Sequence, residues 1–269
     1  MEFRDDELRH FEEHGDAPLA APDASGDIDH DGARIHFAAY GSGEPVVLLH
    51  GGLGHGGNWG YQVPPLIAAG RRVILVDSRG HGRSTRDSRP YTYELMSSDV
   101  LAVMDALGLA KAAFVGWSDG ACVALILAMW APARVAGVFF FACNMDPSGV
   151  RDIGEPGRVI QRCFNRHAKD FALLSPTPGD FKSLVADVSA MMRTQPNYGR
   201  RDLAAIRVPV GVALGEHDEF IKPEHAAYLA RSIPGAELIE LHGVSHFAPL
   251  QRPELFNGAM LAFLAKTKD

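Results

Sequence analysis

The sequence predicts an α/β chain: a mostly parallel sheet with helices on both faces and a small helical cap over one end of the strands. Three observations carry this. Short apolar runs rich in Val, Leu, Ile and Phe alternate with longer runs at helical spacing. Gly116-Trp117-Ser118-Asp119-Gly120 lies between one such strand and one such helix. The alternation breaks once, from about residue 144 to 200, and then resumes.

Residues 1–25 are acidic, then Ala/Pro-rich, and read as an N-terminal arm that is loose or a short helix. Asp27 to His30 and Arg34 to Tyr40 suit a hairpin turned by Asp31-Gly32. Pro45 to His50 is a buried strand that runs into Gly51-Gly52-Leu53-Gly54-His55-Gly56-Gly57. Trp59 to Ala69 follows as a helix, stopped by Gly70. Arg72 to Asp77 is the next strand. Tyr93 to Leu107 has Met96, Val100, Val103, Met104 and Leu107 on one helical face. Lys111 to Val115 is a strand, and Ala121 to Trp130 a buried helix. Val135 to Phe141 is a strand. The insertion 144–200 is helical, with stretches Glu155 to Phe171 and Asp180 to Arg193. Val208 to Leu214 and Glu237 to Leu241 are strands. Pro223 to Ile233 and Pro253 to Lys266 are helices, each opened by proline. Residues 26–143 and 201–269 thus form one core, and 144–200 its cap.

Composition narrows the function. The 269 residues are 46% hydrophobic and 22% charged, enough for one sizeable core and too few for two large domains. A net charge of -7 without a basic block argues against nucleic acid and anionic membrane as partners. The N-terminus has no apolar segment of a secretory leader, and no run reaches the roughly 18 apolar residues of a membrane span. Cys122, Cys143 and Cys163 are odd in number and lack C-x-x-C spacing, so they read as reduced thiols of a cytoplasmic protein. The expected partner is a small-molecule substrate; oligomeric state is left open.

The candidate chemistry is nucleophilic. In G-x-S-x-G a sharp strand-to-helix turn lifts Ser118 out of the sheet. A serine hydroxyl needs an adjacent base, and the base an orienting acid. Asp218 follows the strand 208–214 and His246 the strand 237–241, in the chain order Ser, Asp, His. Asp146, after the strand 135–141, ranks second as the acid. The oxyanion is expected to rest on the N–H of Asp119 and on that of Gly52, with Leu53 as the alternative. A rival reading uses Gly52-Leu53-Gly54-His55-Gly56-Gly57, which matches G-x-G-x-x-G, with Asp77 about twenty residues on: a dinucleotide fingerprint. It leaves Ser118, Asp218 and His246 without a role and ranks below the hydrolase. His55 and His81 have no carboxylate or cysteine at metal-ligand spacing, so neither metal nor cofactor is expected. Arg151, Arg158, Arg162, Arg166 and Lys169 read as a solvated cap face, with substrate-carboxylate binding as a minor alternative.

With these motifs in place, the sequence resembles the α/β-hydrolase superfamily from about Asp27 to Ala265. The resemblance rests on His50-Gly51-Gly52, Asp77 to Ser84, the elbow, Gly215 to Asp218 and Ser245-His246-Phe247. It implies an eight-stranded sheet, a helical cap and no cofactor. The Trp-Ser-Asp-Gly elbow looks like that of the valacyclovir-hydrolase-like, biphenyl-hydrolase-like group. In that group the acid after the nucleophile receives the α-amino group of an amino-acid ester, which would make Asp119 substrate-binding. Carbon–carbon bond hydrolases of aromatic ring cleavage are also similar, although several carry Trp where this chain has Phe247. The expected function is a carboxylesterase-like serine hydrolase of a small ester, thioester or amide. The alternatives are a meta-cleavage-type hydrolase and a non-catalytic small-ligand receptor on the same fold.

Overall fold

The computed structural model describes residues 6–152 and 154–267. Helix α1 (Asp6–His14) opens the chain. The hairpin β1 (Ala24–His30) and β2 (Ala33–Tyr40) turns on Asp31 and Gly32, both at positive φ, as a two-residue hairpin turn requires. β3 (Glu44–Leu49) comes next. The helix predicted over 59–69 does not form as one piece. A 3₁₀ turn at Gly56–Trp59 is followed by the short α2 (Val63–Ala68). Pro64 and Pro65 fit only a first helical turn, so the helix begins at them rather than running through.

The alternation then continues through β4 (Arg71–Val76), α3 (Tyr93–Ala106), β5 (Ala112–Trp117), α4 (Asp119–Trp130) and β6 (Val135–Phe141). The Thr92 side chain caps α3 by accepting from Leu95 N–H. α4 is buried from Asp119 to Ala128, which explains its apolar composition on every face. The insertion contributes α5 (Arg158–Leu174) and α6 (Phe181–Thr194), and α7 (Arg200–Leu203) lies where it rejoins the core. β7 (Val210–Gly215), α8 (Pro223–Ser232), β8 (Glu237–Leu241), α9 (Ala248–Gln251) and α10 (Pro253–Leu264) complete the chain.

The eight strands form one sheet in the order β1-β2-β4-β3-β5-β6-β7-β8. β1 and β2 pair antiparallel, as do β2 and β4; the other neighbours are parallel. The chain leaves β3 toward β4 on one side and returns to β5 on the other. That reversal opens a crevice beyond the carboxyl ends of β3 and β5, where open α/β sheets take ligands. Leu49 is in register with Gly116, so the turn after β3 and the elbow after β5 leave the sheet side by side.

α1 is docked. Leu8 and Phe11 are buried. The Arg162 guanidinium lies 3.7 Å from Glu12, and Asn165 donates to Glu12. The cap cations are therefore not simply a solvated face. Arg162 and Lys169 meet Glu12, Arg166 pairs with Asp170, and Arg151 donates to the carbonyl of Ile221.

Candidate active site

Ser118 joins β5 to α4 with φ 53° and ψ −124°, a backbone that a serine adopts only when its surroundings enforce it. The enforcement is visible. Ser118 N–H donates to Phe141 C=O on β6, and its own C=O accepts from Ala121 N–H. The flanking glycines are sterically required. A Cβ on Gly116 would lie 2.4 Å from Ala121 Cα, and one on Gly120 2.1 Å from the carbonyl oxygen of Leu49. The turn presents the half-buried Ser118 to a cavity of about 690 Å³.

The same cavity is lined by His246. Its Nδ1 lies 2.9 Å from Asp218 Oδ2. The other Asp218 oxygen accepts from the N–H groups of Phe220 and Ile221, so the carboxylate is fixed on both sides. Two bonds hold the His246 loop: Trp117 Nε1–H donates to its carbonyl, and its N–H donates to Glu219. Burial opposes the imidazolium, but Asp218 alongside carries the balance, and the His246 pKa is raised from its ordinary value. No hydrogen bond joins the Ser118 hydroxyl to His246 among the described residues; such bonds are often long before substrate is bound. Asp146, second choice as the acid, is spent elsewhere. It accepts from Ser148 and lies 4.0 Å from His225.

The turn after β3 is pinned by His50. Its Nδ1 pairs with Gly51 C=O at 2.7 Å, and its Nε2 accepts from Ser78 N–H, which defines a neutral ring. Burial lowers its pKa to about 4. Gly54 N–H closes the turn onto Gly51 C=O, with Leu53 at φ 66°. A Cβ on Gly51 would stand 3.1 Å from Ser118 Cβ, which brings the turn that carries Gly52 and Leu53 up to Ser118. The N–H groups of Gly52, Leu53 and Asp119 have no acceptor among the described residues.

Asp119 is buried, and burial raises its carboxyl pKa to about 6 despite a bond from Tyr93. Tyr93 O–H donates to Asp119 Oδ1 at 2.7 Å, while Oδ2 has no hydrogen-bond partner. Tyr93, Glu219 and the cavity-lining His167 were not singled out from the sequence. Tyr93 and His167 meet the site only through tertiary contacts, and Glu219, next to Asp218 in the chain, shows its bond to the His246 backbone only in the fold.

Two sequence readings need correction. His55 does have carboxylates beside it, brought by distant segments: Asp16 at 3.2 Å from the arm and Asp170 at 3.6 Å from α5. Its Nδ1 accepts from Gly57 N–H, which leaves the proton on Nε2 facing the carboxylates. A metal ligand would need a free lone pair there, so the trio fits a neutral imidazole set between two carboxylates, with Arg166 paired to Asp170, better than a metal site. The dinucleotide fingerprint also loses its context. No long helix starts at its glycines, only a 3₁₀ turn. Asp77, which would take a ribose, is buried and accepts from Gly56 and Arg83 N–H.

Comparison with known proteins points to the same fold. A family model described as alpha/beta hydrolase fold matches residues 44–153. The chain has the α/β-hydrolase fold. The coarse function that the relatives support is that of a hydrolase. RutD of Azorhizobium caulinodans, named for carbamate hydrolysis, is 27% identical over 86% of this chain and 95% of its own. A 2-hydroxy-6-oxo-6-phenylhexa-2,4-dienoate hydrolase of Burkholderia cepacia is 28% identical over 86% of this chain and 91% of its own. Among solved structures, Est816, described as an N-acyl homoserine lactone degrading enzyme, superposes with a TM-score of 0.70. It is 29% identical over 88% of this chain and 100% of its own. No helix among the described residues is long and apolar enough to cross a membrane.

Proposed function

We propose that this protein is a serine hydrolase of small carboxylic esters, with amino-acid esters, thioesters and amides as the related substrates. The observation that carries the reading is the 2.9 Å His246–Asp218 pair, facing one cavity with a serine on a strained elbow. In this mechanism Ser118 Oγ attacks the substrate carbonyl while His246 Nε2 takes its proton. The imidazolium is stabilised by Asp218 and returns the proton to the leaving group. The Gly52 and Asp119 N–H groups hold the oxyanion, each worth roughly a hundred- to thousandfold in rate. Water, activated by the same imidazole, then releases the acyl group.

The cavity suggests the substrate's character. Ile160, Phe164, Val185, Val188 and Met192 offer an apolar wall, and Asp119 places a carboxylate beside the nucleophile. The unpartnered Asp119 Oδ2 suits an ammonium on the substrate. A fluorophosphonate probe tests the nucleophile: the adduct is expected on Ser118 and nowhere in Ser118→Ala. Labelling that survives that substitution would refute the assignment. For Asp119, the expected result is a preference for amino-acid over plain acyl esters that Asp119→Asn abolishes. A carbon–carbon bond hydrolase is the second reading, supported by the similarity to the dienoate hydrolase.

A further inference from the structure

Two of the three cysteines meet although they lie far apart in sequence. Cys122 sits in the first turn of α4, four residues past the nucleophile. Cys143 follows β6, where Ala142 at φ 58° turns the chain sharply. Their sulfurs are 2.9 Å apart, and Cys122 S–H also contacts the Asn144 carbonyl at 3.1 Å. Both residues are buried, yet Cys143 lines the active-site cavity and so can be reached by a small solute from that side. Cys163 lines the same cavity and has no thiol contact among the described residues, which makes it a control within the molecule.

We propose that Cys122 and Cys143 are a redox-sensitive dithiol, closed to a disulfide by a small hydroperoxide entering through the active-site cavity, and that closure slows hydrolysis. The chemistry balances in two steps. The Cys143 sulfur attacks the peroxide: an S–O bond forms, the O–O bond breaks, and the displaced oxygen leaves as water or alcohol with the thiol proton. Cys122 sulfur then attacks the Cys143 sulfenic acid. The S–S bond forms, the S–O bond breaks, and water leaves with the second thiol proton. Two electrons pass from the thiols to the peroxide.

Closure reaches the catalytic centre through covalent neighbours. An S–S bond is about 2.05 Å long, so the sulfurs must approach by almost an ångström. One is anchored in the turn that begins at Ser118, and the other borders Asn144 in the cavity wall. A displacement of that size at a reacting centre can cost up to about a hundredfold in rate. Burial raises the Cys122 thiol pKa, so closure is slow at neutral pH and quickens as pH rises.

The bond itself is independent of the hydrolase reading; its effect on rate rests on that reading. The test treats the full chain with hydrogen peroxide, alkylates the remaining thiols, and maps non-reduced tryptic peptides beside ester turnover. The expected result is a link between peptides 112–134 and 135–151 with loss of two hydrogens. Turnover is expected to fall at least tenfold and to recover with dithiothreitol. Cys122→Ala should lose the link and the peroxide sensitivity together. If that variant does not fold, Cys143→Ala serves for the link. Absence of the linked peptide, a linked protein with unchanged turnover, or equal inhibition of Cys122→Ala would each overturn the proposal. Because the link is read by mass, a failure of the hydrolase assignment is distinguishable from a failure of the dithiol.

Discussion

The Asp218 carboxylate accepts three hydrogen bonds, two from backbone and one from His246. This fixes the tautomer of the imidazole, with the proton on Nδ1 and Nε2 free to act as a base. Asp218→Asn, which would favour the wrong tautomer, is expected to lower kcat by roughly ten-thousandfold with little change in thermal midpoint. A kcat within tenfold of wild type would assign the acid elsewhere. The pH dependence follows from the same pair. In the proposed mechanism the base, His246, must be neutral; its folded pKa is raised, so kcat/KM is expected to fall on acidification with a midpoint above the ordinary histidine value of about 6.5. Asp119, near 6, ionises below that midpoint and is expected to add a second, lower limb only for ammonium substrates. Pairing of Asp218 with His246 was legible because each ends a strand on the side of Ser118. Tyr93 was not: it lies 26 residues from Asp119, and only the packing of α3 against α4 unites them.

At the scale of elements, the elbow and the loop after β4 hold the site in shape. Gly120 admits no side chain because the β3 carbonyls lie against it. Gly120→Ala is expected to cost at least about 1–3 kcal/mol, read as a lowered urea midpoint, together with loss of turnover. A fully stable, active variant would contradict the crowding. Behind the loop, Arg79 donates twice to Asp99 of α3, at 2.7 and 2.6 Å, and both residues are buried. Arg79→Met leaves that carboxylate uncompensated and is expected to cost about 3–5 kcal/mol; adding Asp99→Leu should recover most of it. Equal loss in single and double variants would show that the pair is not the cause. Element types were readable from periodicity, and β6 and β8 fall where the sequence places them. The stretch 59–69 misled because its apolar spacing is helical while Gly60, Pro64 and Pro65 interrupt the backbone. α9, only four residues long, gives no periodic signal.

Across the whole molecule, burial lowers the pKa of four histidines among the described residues: His50 to about 4, His81 and His167 to about 3, and His225. Unfolded, each takes a proton near its ordinary value. Between roughly pH 6.5 and 4 the unfolded chain therefore binds more protons at these sites, and stability is expected to fall as pH falls. Asp119, Asp16 and Glu219, with raised folded pKa values, hold protons better in the fold and oppose this in part. A urea midpoint that stays flat or rises from pH 6.5 to 4.5 would contradict this balance. The fold class was legible because alternating strands and helices bury a parallel sheet in few ways. The docking of α1 on α5 was not, since Glu12, Asp16 and Asp170 show no pattern until the chain has folded.

The most direct test of the central claim is turnover of p-nitrophenyl acyl esters and amino-acid esters by the wild type and Ser118→Ala, side by side. The account predicts turnover by the wild type and a loss of about a thousandfold or more in a folded Ser118→Ala. Equal turnover by both proteins, or none by the wild type across the panel, would contradict a serine hydrolase built on Ser118.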